Sequence, residues 1–264
     1  MTEAHKRKNA SHIIIHGDCW PVVSATEHVL KAMHPTVRCK TTFRLTELLQ
    51  GLARSPDVPL VLCLRPREHI FLFYALQNAL LSHPVLVISD ELLFSDRVVL
   101  HNWGGIPAMS HDELNEIVAR IWSGGFPEPD KSRLGSFISD PRPVTGYFSV
   151  PLIFNSQKRL MNYMELLMFR ATTNCGVTAG QQKLIQEVHC GLYTLSGMKD
   201  ILHKSEKRIF QDKYSLMVKL GMKKNRLREL LYGTRFCLAE QRTEFLAPGK
   251  TEVMSEKAMS LPSV

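Results

Sequence analysis

The amino-acid sequence predicts two domains of different class, a parallel α/β domain followed by an all-α domain. The first prediction rests on short, β-rich apolar runs that alternate with helical patterns, and the second on helical apolar spacing between turn residues. The chain has 264 residues, of which 44% are hydrophobic, so it is long enough to bury two ordinary cores.

The N-terminal domain is predicted over residues 11–122, where strands and helices alternate along the chain. This alternation is typical of a parallel sheet with helices on both faces. The predicted strands are His12–Ile15, Pro59–Leu64 and Val85–Ser89, and the predicted helices are Ser24–Met33, Leu45–Ala53 and Ile70–Leu81.

A linker with an amphipathic helix is predicted over residues 123–170. Its first part, Ser123–Thr145, contains four Pro and three Gly and is expected to be exposed. Its second part, Lys158–Arg170, carries an apolar stripe at helical spacing: Leu160, Met161, Met164, Leu167 and Met168. The stripe favours core packing, and the alternative is an exposed surface that pairs two helices in a dimer.

The C-terminal domain is predicted over residues 171–236 as three short helices joined by tight turns. Thr178 can cap the first helix with Gln181 as its reciprocal partner, and Gly191 can end it. Ser205 can cap the third helix, and Gly221 can close it. Apolar residues at helical intervals mark the three helices: Leu184, Ile185, Val188 and Leu192, then Met198, Ile201 and Leu202, then Ile209, Leu216, Met217 and Leu220. This arrangement is what a helix-turn-helix needs.

Most of the excess positive charge lies in this same domain. Residues 171–236 hold 12 Lys and Arg against 5 Asp and Glu, whereas the whole chain has 33 and 25. A folded cationic segment can present its charge to a polyanion, and nucleic acid is the commonest such partner. The alternative is a solvated basic face without a partner.

The segment from Val177 to Leu231 resembles the LuxR-type DNA-binding domain, the output module of the NarL and FixJ response regulators. The residues that carry the resemblance are Thr178, Leu184, Ile185, Gly191, Leu202, Ser205, Ile209, Lys219, Leu220, Gly221, Asn225 and Arg226. The sequence departs from the family pattern in the turn at Tyr193–Met198, which follows one additional residue of spacing. Phe210 and Asp212 replace a frequent lysine and a frequent histidine, and an acid beside the phosphate backbone is expected to weaken binding.

The outer side of the third helix is expected to face the major groove of double-stranded DNA. The candidate DNA-binding residues are Ser205, Lys207, Arg208, Phe210, Gln211, Tyr214 and Lys219. Gln211 can pair with adenine through two hydrogen bonds, and Phe210 can touch a thymine methyl group. Lys207 and Arg208 can hold phosphates or guanine. The alternative is a helix that packs on a protein partner.

The strand and helix order of the N-terminal domain is similar to that of response-regulator receiver domains. An active receiver resembles a magnesium site, with two acids after the first strand and an acceptor aspartate after the third. Here Asp18 is the one remaining acid, and Cys63 or Leu64 stands at the acceptor position. Ser89 matches the family's hydroxyl, but Met109 stands where its lysine belongs. The resemblance therefore implies a pseudo-receiver without a phosphoacceptor.

The sequence lacks the features expected of an enzyme, a cofactor-binding protein, a secreted protein or a membrane protein. There is no catalytic arrangement, cofactor motif or metal-ligand spacing, so we expect neither an enzyme nor a bound cofactor. The six cysteines show no CxxC spacing and no signal peptide precedes them, which predicts reduced thiols in a cytoplasmic protein. The longest apolar stretch is interrupted by His83 and Pro84, so no membrane span is expected. Residues 1–10 are predicted to be a basic tail and residues 237–264 a polar tail.

These observations predict a bacterial DNA-binding transcription regulator. Helix-turn-helix modules read paired half-sites, so a homodimer or a heterodimer with another regulator is expected. The layout resembles that of degenerate enterobacterial regulators of capsule and fimbrial genes. The alternative is a protein-interaction regulator that works through another DNA-binding protein, and Phe210 and Asp212 favour it.

Overall fold

The computed structural model describes residues 12–124, 132–191, 195–222 and 227–248. Within these ranges the strands are β1 (His12–Gly17), β2 (Arg38–Thr42), β3 (Leu60–Cys63), β4 (Val85–Ser89) and β5 (Ala108–Ser110). All of them pair in parallel, in the order β2-β1-β3-β4-β5. The basic tail predicted at residues 1–10 lies outside the described residues.

Helices cover both faces of this sheet. In chain order they are α1 (Trp20–Met33), α2 (Leu45–Arg54), α3 (Ile70–Leu80), α4 (Phe94–Asn102), α5 (His111–Trp122) and α6 (Arg133–Ser139). The apolar residues of α1, α5 and α6 share one core with half of the strand side chains, and those of α2, α3 and α4 share the other. The predicted parallel sheet with helices on both faces is confirmed.

The central strands β1, β3 and β4 are buried on both sides because their side chains alternate between the two cores. In β1, Ile14 packs with α2 and α3, whereas Ile13 and Ile15 pack with α1. Strands β2 and β5 were not predicted. The edge strand β2 reads RCKTT and is largely exposed, and β5 has three residues, so neither contains an apolar run.

The prediction of an exposed linker after α5 is wrong in part. Residues 133–139 form α6. Its N-cap is Ser132, whose hydroxyl accepts a hydrogen bond from Gly135 N at 3.0 Å. Its apolar side chains Leu134, Phe137 and Ile138 are buried against the sheet. Further on, Phe148 bridges to Trp103 and Val150 is fully buried. The Pro and Gly content predicted an exposed linker, whereas this segment packs on the N-terminal domain. Residues 125–131 lie outside the described part of the chain.

The amphipathic helix predicted in the second part of the linker is α7 (Gln157–Asn174). Its stripe of Leu160, Met161, Met164, Leu167 and Met168 is buried in the same core as α3 and α4. The interpretation as core packing is therefore correct, and this stripe is not a surface available for pairing two chains.

The C-terminal domain is all-helical. It comprises α8 (Ala179–His189), α9 (Leu195–Leu202), α10 (Glu206–Lys219) and α11 (Leu227–Gly233). The first three are the predicted helices, and α11 is additional. The predicted turn at residues 193 and 194 and the Asn225–Arg226 match lie outside the described residues. Two 3₁₀ turns, at Pro66–Glu68 and Leu238–Glu240, complete the elements of the described chain.

The two domains share one apolar core. The buried residues of α7, α8, α10 and α11 belong to the same cluster as α3 and α4. Polar contacts add to it, since Ser95 Oγ donates to Tyr232 O at 2.9 Å and Arg97 donates to the carbonyls of Leu220 and Gly221. Among the described helices, none combines the length and the apolar character needed to cross a bilayer.

Candidate DNA-binding surface and the carboxyl edge of the sheet

Local capping signals define the helix-turn-helix. Thr178 Oγ1 accepts from Gln181 N at 3.3 Å, and the Gln181 side chain accepts from Thr178 N at 3.1 Å, so the predicted capping box is present. Ser205 Oγ accepts from Arg208 N at 3.3 Å and caps α10. Gly191 has φ +92° where α8 ends, a conformation that glycine adopts without steric cost.

The inner face of α10 is buried. Ile209, Leu216 and Leu220 are each 1% exposed or less and pack against the buried residues of α8, α9 and α11. This burial fixes the rotation of the helix about its own axis, because a rotation toward the preceding residues would carry Arg208, Ser215 and Lys219 into the core.

The outer face of α10 is open to solvent. Of the predicted DNA-binding residues on the helix, the structure places Lys207, Arg208, Phe210, Gln211 and Tyr214 on this exposed face. They are brought together over two turns of one helix. Val218 extends the face by another turn and is 60% exposed. We call these six residues the outer face of α10.

The structure gives two predicted DNA-binding residues a role inside the domain. Lys219 Nζ donates to Gly176 O at 2.6 Å and to Gln181 Oε1 at 2.9 Å, which ties the end of α10 to the start of α8. Ser205 uses its hydroxyl as the helix cap. The capping role of Ser205 is predictable from the sequence, whereas a helical wheel cannot show that Lys219 is engaged by another part of the chain.

Asp212, the acid expected beside a DNA phosphate, also has partners within the domain. Its carboxylate is 14% exposed and accepts from Lys204 Nζ at 2.7 Å, with Arg208 Nε 3.5 Å from its other oxygen. Asp212 therefore anchors α10 to the residues just before it, and its charge is neutralised within the domain.

The carboxyl ends of β1, β3 and β4 surround a second candidate site. A cavity of about 160 Å³ lies there, lined among others by Asp18, Cys63, Ser89 and His111. Strand order changes direction beside β1, and such a crevice is where open α/β sheets bind ligands. Met109, expected at this edge, is instead fully buried in the core beneath α5, and His111 lies at the cavity two residues later.

Cys63 and Ser89, which line this cavity, are both engaged by other groups of the chain. Cys63 is buried, its Sγ lies 3.5 Å from Thr26 Oγ1, and burial raises the pKa of its thiol to about 12. A thiol that stays protonated is a poor nucleophile and a poor metal ligand. The hydroxyl proton of Ser89 is engaged as well, because Ser89 Oγ donates to Glu91 O at 2.8 Å.

Asp18 is already paired with other side chains of the chain itself. Its Oδ2 accepts from Arg242 Nη1 at 2.6 Å and lies 3.3 Å from His69 Nε2. The hydrogen bond with His69, followed by the charge and hydrogen bond of Arg242, holds the pKa of the carboxyl at about 2. Asp90 also lines the cavity, and both of its carboxylate oxygens accept from Arg65 Nε. Two carboxylates that are already paired with arginines do not fit a magnesium ion, which prefers several free oxygen ligands.

Arg242 belongs to a segment that was predicted to be a polar tail. Residues 237–248, the C-terminal segment, pack on the N-terminal domain. Gln241 Oε1 accepts from Ile70 N at 2.9 Å and its Nε2 donates to Arg67 O at 2.8 Å. Arg242 Nε also lies 2.8 Å from Glu68 Oε2. The prediction of a tail is therefore wrong for these residues, while residues 249–264 lie outside the described chain.

Aromatic contacts hold the end of the C-terminal segment. The ring of Phe245 stacks on Tyr74 with centroids 5.9 Å apart and meets Phe71 edge-on at 5.4 Å. Thr243 Oγ1 lies 2.8 Å from His69 Nδ1, so the same imidazole connects the segment to Asp18. The segment following α11 thus closes over the carboxyl edge of the sheet.

Comparison with known proteins gives structural likenesses at low sequence identity. No family model matches the chain, and no curated protein matches it. A structure of two RcsB dimers bound to two parallel DNAs is similar, with 16% identity, a TM-score of 0.47 and coverage of 84% of this chain and 97% of that one. RcsB from Salmonella enterica serovar Typhimurium bound to promoter rprA has 14% identity, a TM-score of 0.45 and the same coverage. Full-length FixJ from B. japonicum has 12% identity, a TM-score of 0.34 and coverage of 95% and 99%. At these TM-scores the likenesses carry no argument, and the fold assignment rests on the sheet and helices described above.

Proposed function

We propose that this chain is a DNA-binding transcriptional regulator in which α10 enters the major groove. The observation that carries the proposal is the two-sided character of α10: one side is buried in the domain core, and the other presents Lys207, Arg208 and Gln211 to solvent. The B-DNA major groove admits a single α-helix, and these side-chain types suit phosphates, guanine and adenine.

Charge supports nucleic acid as the partner. Asp212 pairs with Lys204 at 2.7 Å and more loosely with Arg208 at 3.5 Å, and the Arg208 side chain remains 65% exposed on the outer face of α10. This face also has Lys207, which is exposed and forms no ion pair with another described residue. Glu206, the other acid nearby, lies in the first turn, where a negative charge stabilises the helix dipole.

The test is the salt dependence of DNA binding by the full chain, measured by fluorescence anisotropy. Removing both cations with Lys207→Gln and Arg208→Gln should weaken binding to every duplex. It should also flatten the plot of log affinity against log salt by about 0.9 for each phosphate that is no longer neutralised. Lys158→Gln, a change at an exposed lysine on α7, is the matched control and should leave the slope unaltered. Identical slopes for the double variant and the wild type would contradict the proposal.

We extend the proposal to regulation that does not depend on phosphorylation. The support is the protonated Cys63 at the end of β3 and the pairing of Asp18 with Arg242, so that neither side chain is free to accept a phosphoryl group. The N-terminal domain would then act through its surface contacts with the C-terminal domain.

Two finer parts of the proposal rest on the resemblance to regulators of the LuxR type. Because such modules read paired half-sites, we propose that the chain binds DNA as a homodimer or with another regulator. The target genes proposed are those of surface structures such as fimbriae. Light scattering of the complex with a selected duplex tests the first part, since a dimer predicts two chains per duplex, and chromatin immunoprecipitation tests the second.

A second candidate is a regulator that binds another protein through the same helix. The observation in its favour is that Phe210, Tyr214 and Val218 are apolar and more than half exposed. An absence of salt-dependent DNA binding by the wild-type chain would favour this candidate over direct DNA recognition.

A further inference from the structure

The outer face of α10 contains a continuous apolar row. Phe210, Tyr214 and Val218 are 52%, 57% and 60% exposed, and they follow one another at intervals of four residues. Side chains four residues apart lie one above the other along a helix. The row is therefore a single strip of apolar surface along the helix.

The charged and polar residues around this row limit which partner can bind it. Lys207 and Arg208 lie beside it at the start of α10, and Gln211 lies next to Phe210. Asp212, which could have repelled a polyanion, is turned toward Lys204 and is 14% exposed. A suitable partner carries negative charge at its edges and apolar groups in the middle.

The major groove has this character where thymine occurs. Phosphates line its rims, and the C5 methyl group of each thymine projects from its floor. Guanine, cytosine and adenine offer hydrogen-bonding groups there and no methyl group. An A·T pair would also offer adenine N6 and N7 to Gln211, so one pair could satisfy an amide and an aromatic ring that are neighbours in the chain.

The position of the row along α10 decides which of its members come closest to the bases. Recognition helices contact bases chiefly through their N-terminal residues. Phe210 and Tyr214 lie in the second and third turns of the helix, about 6 Å apart along its axis, which corresponds to roughly two base-pair steps. Val218 lies a further turn away, toward the end of the helix.

We propose that the outer face of α10 reads the 5-methyl groups of thymine through Phe210 and Tyr214, so that the chain selects sites in which thymines stand about two base pairs apart. The inference rests on the proposed function and adds to it the chemical group that is read. Burial of each methyl against an aromatic ring removes apolar surface from water, which is the source of the selectivity.

The experiment replaces thymine by deoxyuridine in a duplex selected from a random library by the full chain. Deoxyuridine keeps every hydrogen-bonding group of thymine and lacks the methyl. Binding is measured by fluorescence anisotropy at one fixed salt concentration. The wild type should bind the deoxyuridine duplex about fourfold more weakly for each methyl that is read, the equivalent of about 0.8 kcal/mol per buried carbon.

Two variants separate reading of methyl groups from changes in DNA shape. Phe210→Ala with Tyr214→Ala should bind the thymine and deoxyuridine duplexes equally, because the rings that distinguish them are gone. Lys207→Gln should weaken binding to both duplexes and keep the ratio between them. Circular dichroism should show that the variants keep their helices, since all three side chains are exposed.

The outcomes distinguish this inference from the proposed function. Equal wild-type affinity for the two duplexes, or an unchanged ratio in the doubly substituted variant, would overturn methyl reading and leave DNA binding intact. Failure of the wild type to enrich any duplex from the library would overturn both, and the apolar row would then belong to a protein interface.

Discussion

Replacing Arg242 by Met should lower the free energy of unfolding, because it removes the ion pair between Arg242 and Asp18. The guanidinium donates to the Asp18 carboxylate at 2.6 Å and joins the C-terminal segment to the end of β1. The lowering of the Asp18 pKa from 3.8 to about 2 would correspond to roughly 2.5 kcal/mol if all of it acted on folding. His69 supplies the largest share of that shift in the Asp18 pKa, and Arg242 is half exposed to solvent. Because solvent screens the ion pair, we expect about 1 kcal/mol of stabilisation from the Asp18–Arg242 interaction.

A double-mutant cycle isolates this coupling. Unfolding in urea would be measured for the wild type, Arg242→Met, Asp18→Asn and the double variant, because Arg242 also contacts Glu68 and Asp18 also contacts His69. The expected coupling energy is about 1 kcal/mol. Arg159→Met, a change at an exposed arginine on α7, is the matched control for loss of one surface charge. Additive effects of the two substitutions would refute the reasoning.

The pH dependence of the coupling energy between Asp18 and Arg242 provides a second test. The carboxyl of Asp18 has its pKa lowered in the folded state, so its stabilisation is present above the unfolded value of 3.8 and is lost as the pH falls toward 2. The coupling energy should therefore be the same at pH 7 and pH 5. A coupling that has already halved at pH 5 would contradict the assignment of a lowered pKa.

Three further predictions concern the core, α10 and the carboxyl edge of the sheet. Met164→Ala should lower the free energy of unfolding by about 2–4 kcal/mol in a urea titration, because Met164 is fully buried in the core shared by the two domains; an unchanged midpoint would place α7 outside it. Asp212→Asn should cost about 1 kcal/mol of stability, since Lys204 loses its partner; an unaltered free energy of unfolding would show that this ion pair does not anchor α10. Incubation with labelled acetyl phosphate should leave the chain unlabelled because Cys63 stays protonated and Asp18 is already paired, whereas stable labelling of the N-terminal domain would show a working acceptor.

The parts of the fold that are predictable from the sequence carry local signals. The strand at Val85–Ser89 is predictable to the residue, because a fully buried strand reads as an uninterrupted apolar run. The caps at Thr178 and Ser205 are also predictable, since each requires a hydroxyl at a fixed distance from its partner along the chain. Hydrophobic spacing then gives the exposed side of α10 correctly.

The parts that were missed depend on contacts between distant residues. Gln241, Arg242 and Thr243 form a polar sequence without periodicity, and their partners lie at residues 18 and 67–70. No local pattern reveals such pairing. The engagement of Lys219 by Gly176 is a similar case, because a helical wheel shows which side a residue occupies and not which carbonyl it meets.

The central claim, that α10 reads DNA directly, is tested most directly by in vitro selection with Gln211→Ala. The full chain and the variant would each be used to enrich duplexes from a random library, and the enriched sequences would be compared position by position. The account predicts that both enrich a common site, and that the variant loses its preference for adenine at one position at a cost of about 1–3 kcal/mol. Enrichment of the same site with unaltered preference at every position, or no enrichment by the wild type, would contradict direct reading by α10.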